Sequence, residues 1–206
     1  MTTLYFMRHA QSEANLADIL ASQINFPLTQ TGKDDAKQIA QEFCQDHKID
    51  KVITSSLLRA QQTGHPFESE LDLTAQSDAR LVEQDLGKYA GKTYADLDDE
   101  PDYCHDRALR WKWVPEGGGE SYEMIAARLQ PFFDDMFSTE QGNVLIITHA
   151  VTMRMIKAIL TNILPEYPRE IAHNGEIWQV TLDKQGSVHE VISLFYGDSK
   201  SAISNE

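Results

Sequence analysis

Residues 4–9 read Leu-Tyr-Phe-Met-Arg-His, an apolar run that ends abruptly on a cation and an imidazole. The same arrangement recurs twice in the chain. Lys51–Thr54 is a second run, and Arg59 follows it five residues later. Asn143–Thr148 is the most hydrophobic run, and it leads directly into His149. Short apolar runs bounded by turn-forming residues predict buried strands of a parallel sheet.

The polar groups that follow these runs should meet at one edge of the sheet. In open α/β sheets, ligands bind at the carboxyl ends of the parallel strands. Arg8 and His9 follow the first predicted strand, Arg59 follows the second and His149 follows the third. Two guanidinium groups and two imidazoles in one place predict an anion site, and the planar guanidinium groups favour phosphate.

Helical patterns separate the predicted strands. Helices are expected at the start of Gln11–Leu20, after a cap at Thr29 or Thr31, at Leu57–Leu71 with interruptions at Gly64 and Pro66, at Glu120–Phe137 and after His149. Further strands are expected at Leu73–Gln76 and, as a hairpin at a sheet edge, at Glu176–Asp183 and Val188–Phe195. Strands that alternate with helices predict a three-layer α/β/α sandwich with a mostly parallel central sheet.

Residues 78–119 depart from this alternation. They contain an acidic patch at Asp96–Asp102 and an aromatic, basic stretch from Tyr103 to Trp113. Long irregular segments inside compact domains are usually functional lids or insertions. We therefore expect a single domain over residues 1–206, with a lid inserted at about residues 78–119.

The composition limits the partners of the chain. Its 18 basic and 32 acidic residues give a net charge of −14, which repels nucleic acid and anionic membranes. Its two cysteines, Cys44 and Cys104, exclude a disulfide scaffold and argue against a zinc site. The first predicted strand leaves no room for a secretory signal, and no apolar run approaches the ~18 residues that span a bilayer. We expect a cytoplasmic protein with a small anionic partner.

Six short motifs follow one another along the chain. They are Arg8-His9-Ala10-Gln11-Ser12-Glu13-Ala14-Asn15, Pro27-Leu28-Thr29-x-x-Gly32, the run from Ser55 to Thr63 around Arg59, Leu81-x-Glu83-x-x-x-Gly87 with Gly91, Gly118-Gly119-Glu120-Ser121, and Thr148-His149-Ala150. In this order they resemble the motifs of the histidine phosphatase superfamily, also called phosphoglycerate mutase-like, with Ala10 where that family usually has glycine.

The resemblance implies a role for each group at the sheet edge. His9 would be the nucleophile and would carry the phosphoryl group as phosphohistidine. Nearby arginines disfavour the imidazolium form, which leaves a ring nitrogen free to attack. Arg8 and Arg59 would clamp the phosphoryl oxygens, and His149 would donate a hydrogen bond to them. The implied substrate-binding set is Arg8, Asn15, Ser22, Arg59 and His149.

Glu83 is expected to be the general acid and base. The ester oxygen leaves poorly as an alkoxide, so an acid must protonate it, and the same carboxylate can then activate water. Asp85 and Glu13 are the competing carboxylates for this role.

The basic residues of the predicted lid allow two interpretations. Arg107, Arg110 and Lys112 could contact the leaving group of a substrate. They could equally lie on a solvated amphipathic helix whose tryptophans pack inward.

The resemblance implies metal-independent hydrolysis of a small phosphomonoester, such as a sugar phosphate or a phosphoglycerate-like ester, with no cofactor. Three alternatives stay open. The chain could be a phosphoglycerate-type mutase, a phosphatase that acts on phosphohistidine in proteins, or a phosphate-binding module without catalytic activity.

Overall fold

The computed structural model describes residues 3–139, 142–182 and 188–196. Its centre is a six-stranded sheet with the strand order β3-β2-β4-β1-β5-β6. The strands are β1 (Thr3–Arg8), β2 (Lys51–Ser55), β3 (Gln76–Asp78), β4 (Val144–Thr148), β5 (Ile177–Leu182) and β6 (Val188–Leu194). The first four are parallel to one another, whereas β5 runs antiparallel to both β1 and β6. The predicted mostly parallel sheet and the antiparallel pairing of its last two strands are confirmed, while the predicted strand end Asp183 lies outside the described residues.

Helices cover both faces of the sheet. They are α1 (Glu13–Leu16), α2 (Gln30–Asp46), α3 (Leu58–Leu71), α4 (Tyr122–Thr139) and α5 (Ala150–Leu160). Alternate residues of β1 point to opposite faces, as the strand geometry requires. Leu4 and Phe6 pack with α4 and α5 in one apolar cluster, while Tyr5 and Met7 pack with α2 and α3 in another. This arrangement confirms the three-layer sandwich.

The helix expected at the start of Gln11–Leu20 is present as the single turn α1, and the chain has left the helical path by Asp18, which has a positive φ of 51°. Two other local expectations are wrong. The helix α3 continues through Gly64 and Pro66 without the expected interruption. The third strand begins at Gln76, while Leu73 is still bonded to the end of α3 and packs beneath it.

Residues 79–121 contain four short 3-10 helices and neither a β-strand nor an α-helix. Their apolar side chains form a small cluster of their own. Leu86, Tyr89, Leu97 and Tyr103 pack there with Leu20, and Trp113 packs against them. Trp111 packs on the α4–α5 cluster. Both tryptophans thus pack inward, but the amphipathic helix of that interpretation is absent, since only Arg107–Leu109 is helical in this stretch, as a 3-10 turn. No helix in the described ranges combines the length and apolar character needed to cross a bilayer.

Candidate active site

The parallel strands bring four polar groups to one edge of the sheet. Arg8 ends β1 and His9 follows it, Arg59 lies in the first turn of α3 after β2, and His149 lies between β4 and α5. Each is at most 4% exposed, although their sequence positions span 142 residues. The rings of His9 and His149 have centroids 5.2 Å apart. The juxtaposition predicted from the sequence is therefore present.

The hydrogen bonds of His9 define its tautomer. Its Nδ1 lies 2.7 Å from the carbonyl oxygen of Ala10, which can only accept, so Nδ1 carries the proton. The other nitrogen, Nε2, then presents a lone pair, and the Nε–H of Arg59 donates to it at 3.3 Å. The imidazole ring is thus held with its unprotonated nitrogen facing the guanidinium group of Arg59.

Burial keeps both histidines neutral. It lowers the pKa of His9 well below the ordinary value of 6.5, and the charges of Arg59 and Arg8 lower it further. Burial also lowers the pKa of His149 well below that value, again with help from Arg59. At neutral pH, Nε2 of His9 is therefore unprotonated and presents a lone pair.

The two arginines are held by backbone carbonyls. Arg59 donates from Nη2 to Ser22 O at 2.7 Å and from Nη1 to Ile24 O at 2.9 Å, which aims its Nε at His9. Arg8 donates from Nη1 to Ala172 O at 2.7 Å. Burial lowers the pKa of Arg59 to about 10, so it stays cationic at neutral pH. Two buried guanidinium groups without a carboxylate partner, among the residues described, suit an anionic ligand.

His149 is oriented as a hydrogen-bond donor. Its Nε2 lies 2.8 Å from the hydroxyl of Ser55, and that hydroxyl accepts from the backbone N–H of Leu57. The hydroxyl proton is then free for Nε2, which puts the ring proton of His149 on Nδ1. Nδ1 is buried and has no acceptor among the described atoms. An oxygen of a bound anion would supply one.

The carboxylate of Glu83 lies beside the first turn of α5. Its Oε1 accepts from the backbone N–H groups of Gln84 (2.9 Å) and Thr152 (3.2 Å), and its Oε2 accepts from Val151 (3.2 Å). Oε2 therefore has the greater free capacity to carry a proton. Of the competing carboxylates, Asp85 accepts from Gly87 N, and neither it nor Glu13 is among the residues that line the cavity described next.

A cavity of about 130 Å³ is lined by most of these groups. Of the predicted residues, its wall includes Arg8, His9, Asn15, Ser22, Arg59, Glu83, Arg107 and Arg110. His149 is not on the wall but has its ring 5.2 Å from that of His9, which is, and Lys112 lies elsewhere in an ion pair with Glu123. Tyr94 and Arg154, which no sequence motif singled out, also line the cavity.

Ser22 and Asn15 also form hydrogen bonds with other residues of the protein. The hydroxyl of Ser22 donates to Gln84 O (3.0 Å) and accepts from Leu86 N (2.9 Å), which ties two walls of the cavity together. The Oδ1 of Asn15 accepts from Ser12 N at 3.0 Å and caps α1. The amino group of Asn15 is then the part of this side chain that can reach a ligand.

Asn174 is a positioning residue that sequence reasoning missed. It is 3% exposed, and its Nδ2 donates to His9 O at 2.9 Å and to Asn15 Oδ1 at 3.2 Å. It thereby fixes the backbone of His9 relative to the amide of Asn15. No local signal could have revealed it, because its partners lie about 160 residues away.

The described residues include no group of three or more histidine, cysteine, aspartate or glutamate side chains placed to hold a metal ion. The positive charge of the cavity comes instead from its arginines.

Acid should destabilise the fold through its two buried histidines. The unfolded chain protonates them near the ordinary pKa, whereas burial lowers the pKa of His9 and His149 in the folded state. Just below pH 6.5 the unfolded state binds more protons, so the free energy of unfolding falls as the pH falls. Each histidine contributes at most about 1.4 kcal/mol per pH unit, a limit that is reached only where it is fully protonated in the unfolded chain.

Urea unfolding between about pH 5.5 and 6.5 tests this expectation with the wild type and His149→Gln. The variant has lost one buried histidine, so its free energy of unfolding should change less over this pH unit, by about 1 kcal/mol, because the unfolded histidine is only half protonated at the upper end of the range. Equal slopes would mean that folded His149 takes up a proton as readily as it does in the unfolded chain.

Comparison with known sequences gives the same family as the motifs. The family model described as the histidine phosphatase superfamily (branch 1) matches residues 4–193. A protein of Hydrogenobacter thermophilus, named provisionally as phosphoserine phosphatase 2, is 30% identical over 90% of this chain and 87% of its own. A 2,3-bisphosphoglycerate-dependent phosphoglycerate mutase of Nitrobacter winogradskyi is 30% identical over 84% of this chain and 89% of its own.

Solved structures share the fold. A mycobacterial glucosyl-3-phosphoglycerate phosphatase in complex with VO3 has a TM-score of 0.79 and 24% identity, over 87% of this chain and 92% of its own. The α-ribazole phosphatase of Shigella flexneri has a TM-score of 0.78 and 21% identity, over 92% of this chain and 95% of its own. With its motifs, its fold and a family match over nearly its whole length, the chain belongs to the histidine phosphatase superfamily.

Proposed function

We propose that the protein hydrolyses small phosphomonoesters through a phosphohistidine on His9. The observation that carries the proposal is the tautomer of His9. Its Nδ1–H is bonded to Ala10 O, and its Nε2 lone pair faces the Nε–H of Arg59 in a cavity that Arg8 also lines. The relatives named for phosphatase activity support the same reaction class.

The first half of the reaction transfers the phosphoryl group. Nε2 of His9 attacks phosphorus and forms a P–N bond while the P–O bond to the leaving group breaks. Glu83 gives its proton to the departing oxygen, which leaves as an alcohol. Arg8, Arg59 and Nδ1–H of His149 stabilise the charge on the phosphoryl oxygens, which is the main catalytic demand of this chemistry.

The second half returns the enzyme to its starting state. Glu83, now a carboxylate, takes a proton from water, and the water oxygen attacks phosphorus. The P–N bond breaks, its electron pair returns to Nε2 of His9, and inorganic phosphate leaves. Residues 78–119 act in this proposal as a lid over the leaving group. The single domain and the cytoplasmic location expected from the sequence belong to the same proposal.

The protein should hydrolyse p-nitrophenyl phosphate without added metal, since its arginines supply the positive charge at the site. Release of nitrophenolate in excess EDTA should equal the release in its absence. Activity that disappears in chelator and returns with Mg²⁺ would contradict the mechanism.

A mutase is the second candidate, because the Nitrobacter relative with that name is 30% identical to this chain. Both reactions would begin with phosphorylation of the same histidine. They differ in whether water or a second hydroxyl accepts the phosphoryl group. Release of inorganic phosphate in step with loss of phosphoglycerate supports the phosphatase, whereas isomerisation between its 2- and 3-phosphates without phosphate release supports the mutase.

A further inference from the structure

Three arginines of the cavity wall are not part of the phosphate clamp. Arg107 and Arg110 come from the irregular segment, and Arg154 comes from α5. None of the three forms an ion pair with a carboxylate among the residues described. In a chain with a net charge of −14, unpaired cations in one cavity are unexpected unless a ligand supplies the anion.

The other cations of the same segment provide the comparison. Residues 78–128, all of which the structure describes, contain five further lysines and arginines. Every one of these has a carboxylate partner: Arg80 with Asp78 and Asp135, Lys88 with Glu116, Lys92 with Glu100, Lys112 with Glu123, and Arg128 with Glu120. Only the two arginines that reach the cavity lack one.

Arg154 and Arg110 are held rigidly. Arg154 is 1% exposed, donates from Nη1 to the hydroxyl of Tyr122 at 3.1 Å, and has a buried Nε without a partner in the described structure. Arg110 donates to the hydroxyl of Tyr103 at 2.7 Å and lies over the rings of Tyr103 and Trp113. Preorganised guanidinium groups lose little entropy when they bind an anion.

The three positive charges repel one another. Burial lowers the pKa of Arg154, and the charges of Arg107 and Arg110 lower it further. Neutral oxygens of tyrosines and carbonyls solvate these groups but do not neutralise them. An anion among the three would remove this repulsion.

The charge balance of the whole cavity also favours a ligand with a second anionic group. Its wall has five guanidinium groups and two carboxylates, Asp18 and Glu83. The excess is three positive charges, and the phosphoryl dianion of a simple ester neutralises two of them. One positive charge remains, and protonation of Glu83 as the general acid would make it two.

We propose that Arg107, Arg110 and Arg154 form a second anion subsite, which selects esters whose leaving group carries its own carboxylate or phosphate. This inference rests on the proposed phosphatase activity and narrows its substrate class. The cavity of about 130 Å³ suits a small dianionic or trianionic metabolite better than a phosphorylated protein chain.

The test compares 3-phosphoglycerate with glycerol 1-phosphate, which share a three-carbon skeleton and differ by a carboxylate in place of a hydroxymethyl group. For the wild type, kcat/KM should be roughly 10–100-fold higher with 3-phosphoglycerate than with glycerol 1-phosphate, which is the range expected for hydrogen bonds to a charged group. Glycerol 1,3-bisphosphate forms the third arm. A larger preference for it than for 3-phosphoglycerate would identify phosphate as the second anion, and the reverse would identify carboxylate.

Arg107→Gln is the informative variant, because this half-buried side chain makes no hydrogen bond with another described residue. In Arg107→Gln, the kcat/KM for 3-phosphoglycerate should exceed that for glycerol 1-phosphate by no more than a few-fold. Arg107→Lys should keep part of the wild-type preference. Lys112→Gln removes a cation from the same segment but outside the cavity, so it should keep the wild-type preference.

Two results would overturn the subsite. One is a wild type that hydrolyses 3-phosphoglycerate, glycerol 1,3-bisphosphate and glycerol 1-phosphate equally well, and the other is an equal loss of preference in Lys112→Gln and Arg107→Gln. Failure of the phosphatase proposal has a different signature, because neither ester would release phosphate and no phosphoenzyme would form.

Discussion

Replacing His9 by alanine should lower kcat for small phosphate esters by roughly 10⁶-fold, the loss seen when a covalent nucleophile is removed. No other described group presents an unprotonated nitrogen in the same way, since the ring proton of His149 is placed on the nitrogen without a partner. The cavity should still bind inorganic phosphate, because Arg8 and Arg59 are retained. Steady-state kinetics and isothermal calorimetry with phosphate would measure the two effects separately.

The covalent intermediate gives this expectation a second readout. Wild-type protein quenched during turnover of ³²P-labelled ester should carry an acid-labile, base-stable label on His9, and the variant should carry none. His65→Ala, which removes an exposed histidine from α3, is the matched control and should keep both activity and label. Label on His149 in the wild type would reverse the assignment of the two histidines.

The strands that build the site could be predicted because they are buried on both faces. All five residues of β4 are buried, and such a strand reads as a continuous apolar run. β3 gave no such signal, since it is a polar edge strand whose first two residues are exposed. The nearby apolar residues Leu73 and Ala75 pack beneath α3 instead, which placed the expected strand too early.

The phosphate end of the cavity was also accessible from the sequence, because the geometry of a parallel sheet gathers the ends of its strands whatever their separation along the chain. The opposite end of the cavity could not be predicted from the sequence. Arg154 lines the cavity and Asn174 holds His9 only because α5 and the loop after it fold over the end of β1, and no local pattern encodes that contact. The proposal for Arg107 and Arg110 depends on their missing carboxylate partners, which the sequence alone does not reveal.

Glu83→Gln should separate proton transfer from binding. The amide oxygen can keep the bonds that Oε1 accepts from Gln84 N and Thr152 N, while the amide nitrogen loses only the bond from Val151 N. The side chain therefore stays in place but cannot deliver a proton. With an alkyl phosphate, whose leaving group is a poor one, kcat should fall by roughly 10²–10⁴-fold, as is typical of a lost general acid.

A good leaving group should change the kinetics in a diagnostic way. Nitrophenolate leaves without a proton, so phosphorylation of His9 by p-nitrophenyl phosphate should be much less affected in Glu83→Gln. Hydrolysis of the phosphohistidine still needs a base for water, so a burst of nitrophenolate equal to the enzyme concentration should precede slow turnover. Asp85→Asn is the matched control, because this carboxylate accepts a hydrogen bond from Gly87 N away from the cavity wall. It should show no burst, and it should not slow the alkyl ester more than the nitrophenyl ester. If Glu83→Gln slows both esters equally and gives no burst, the proton comes from another group, and Asp18 is the other carboxylate on the cavity wall that could supply it.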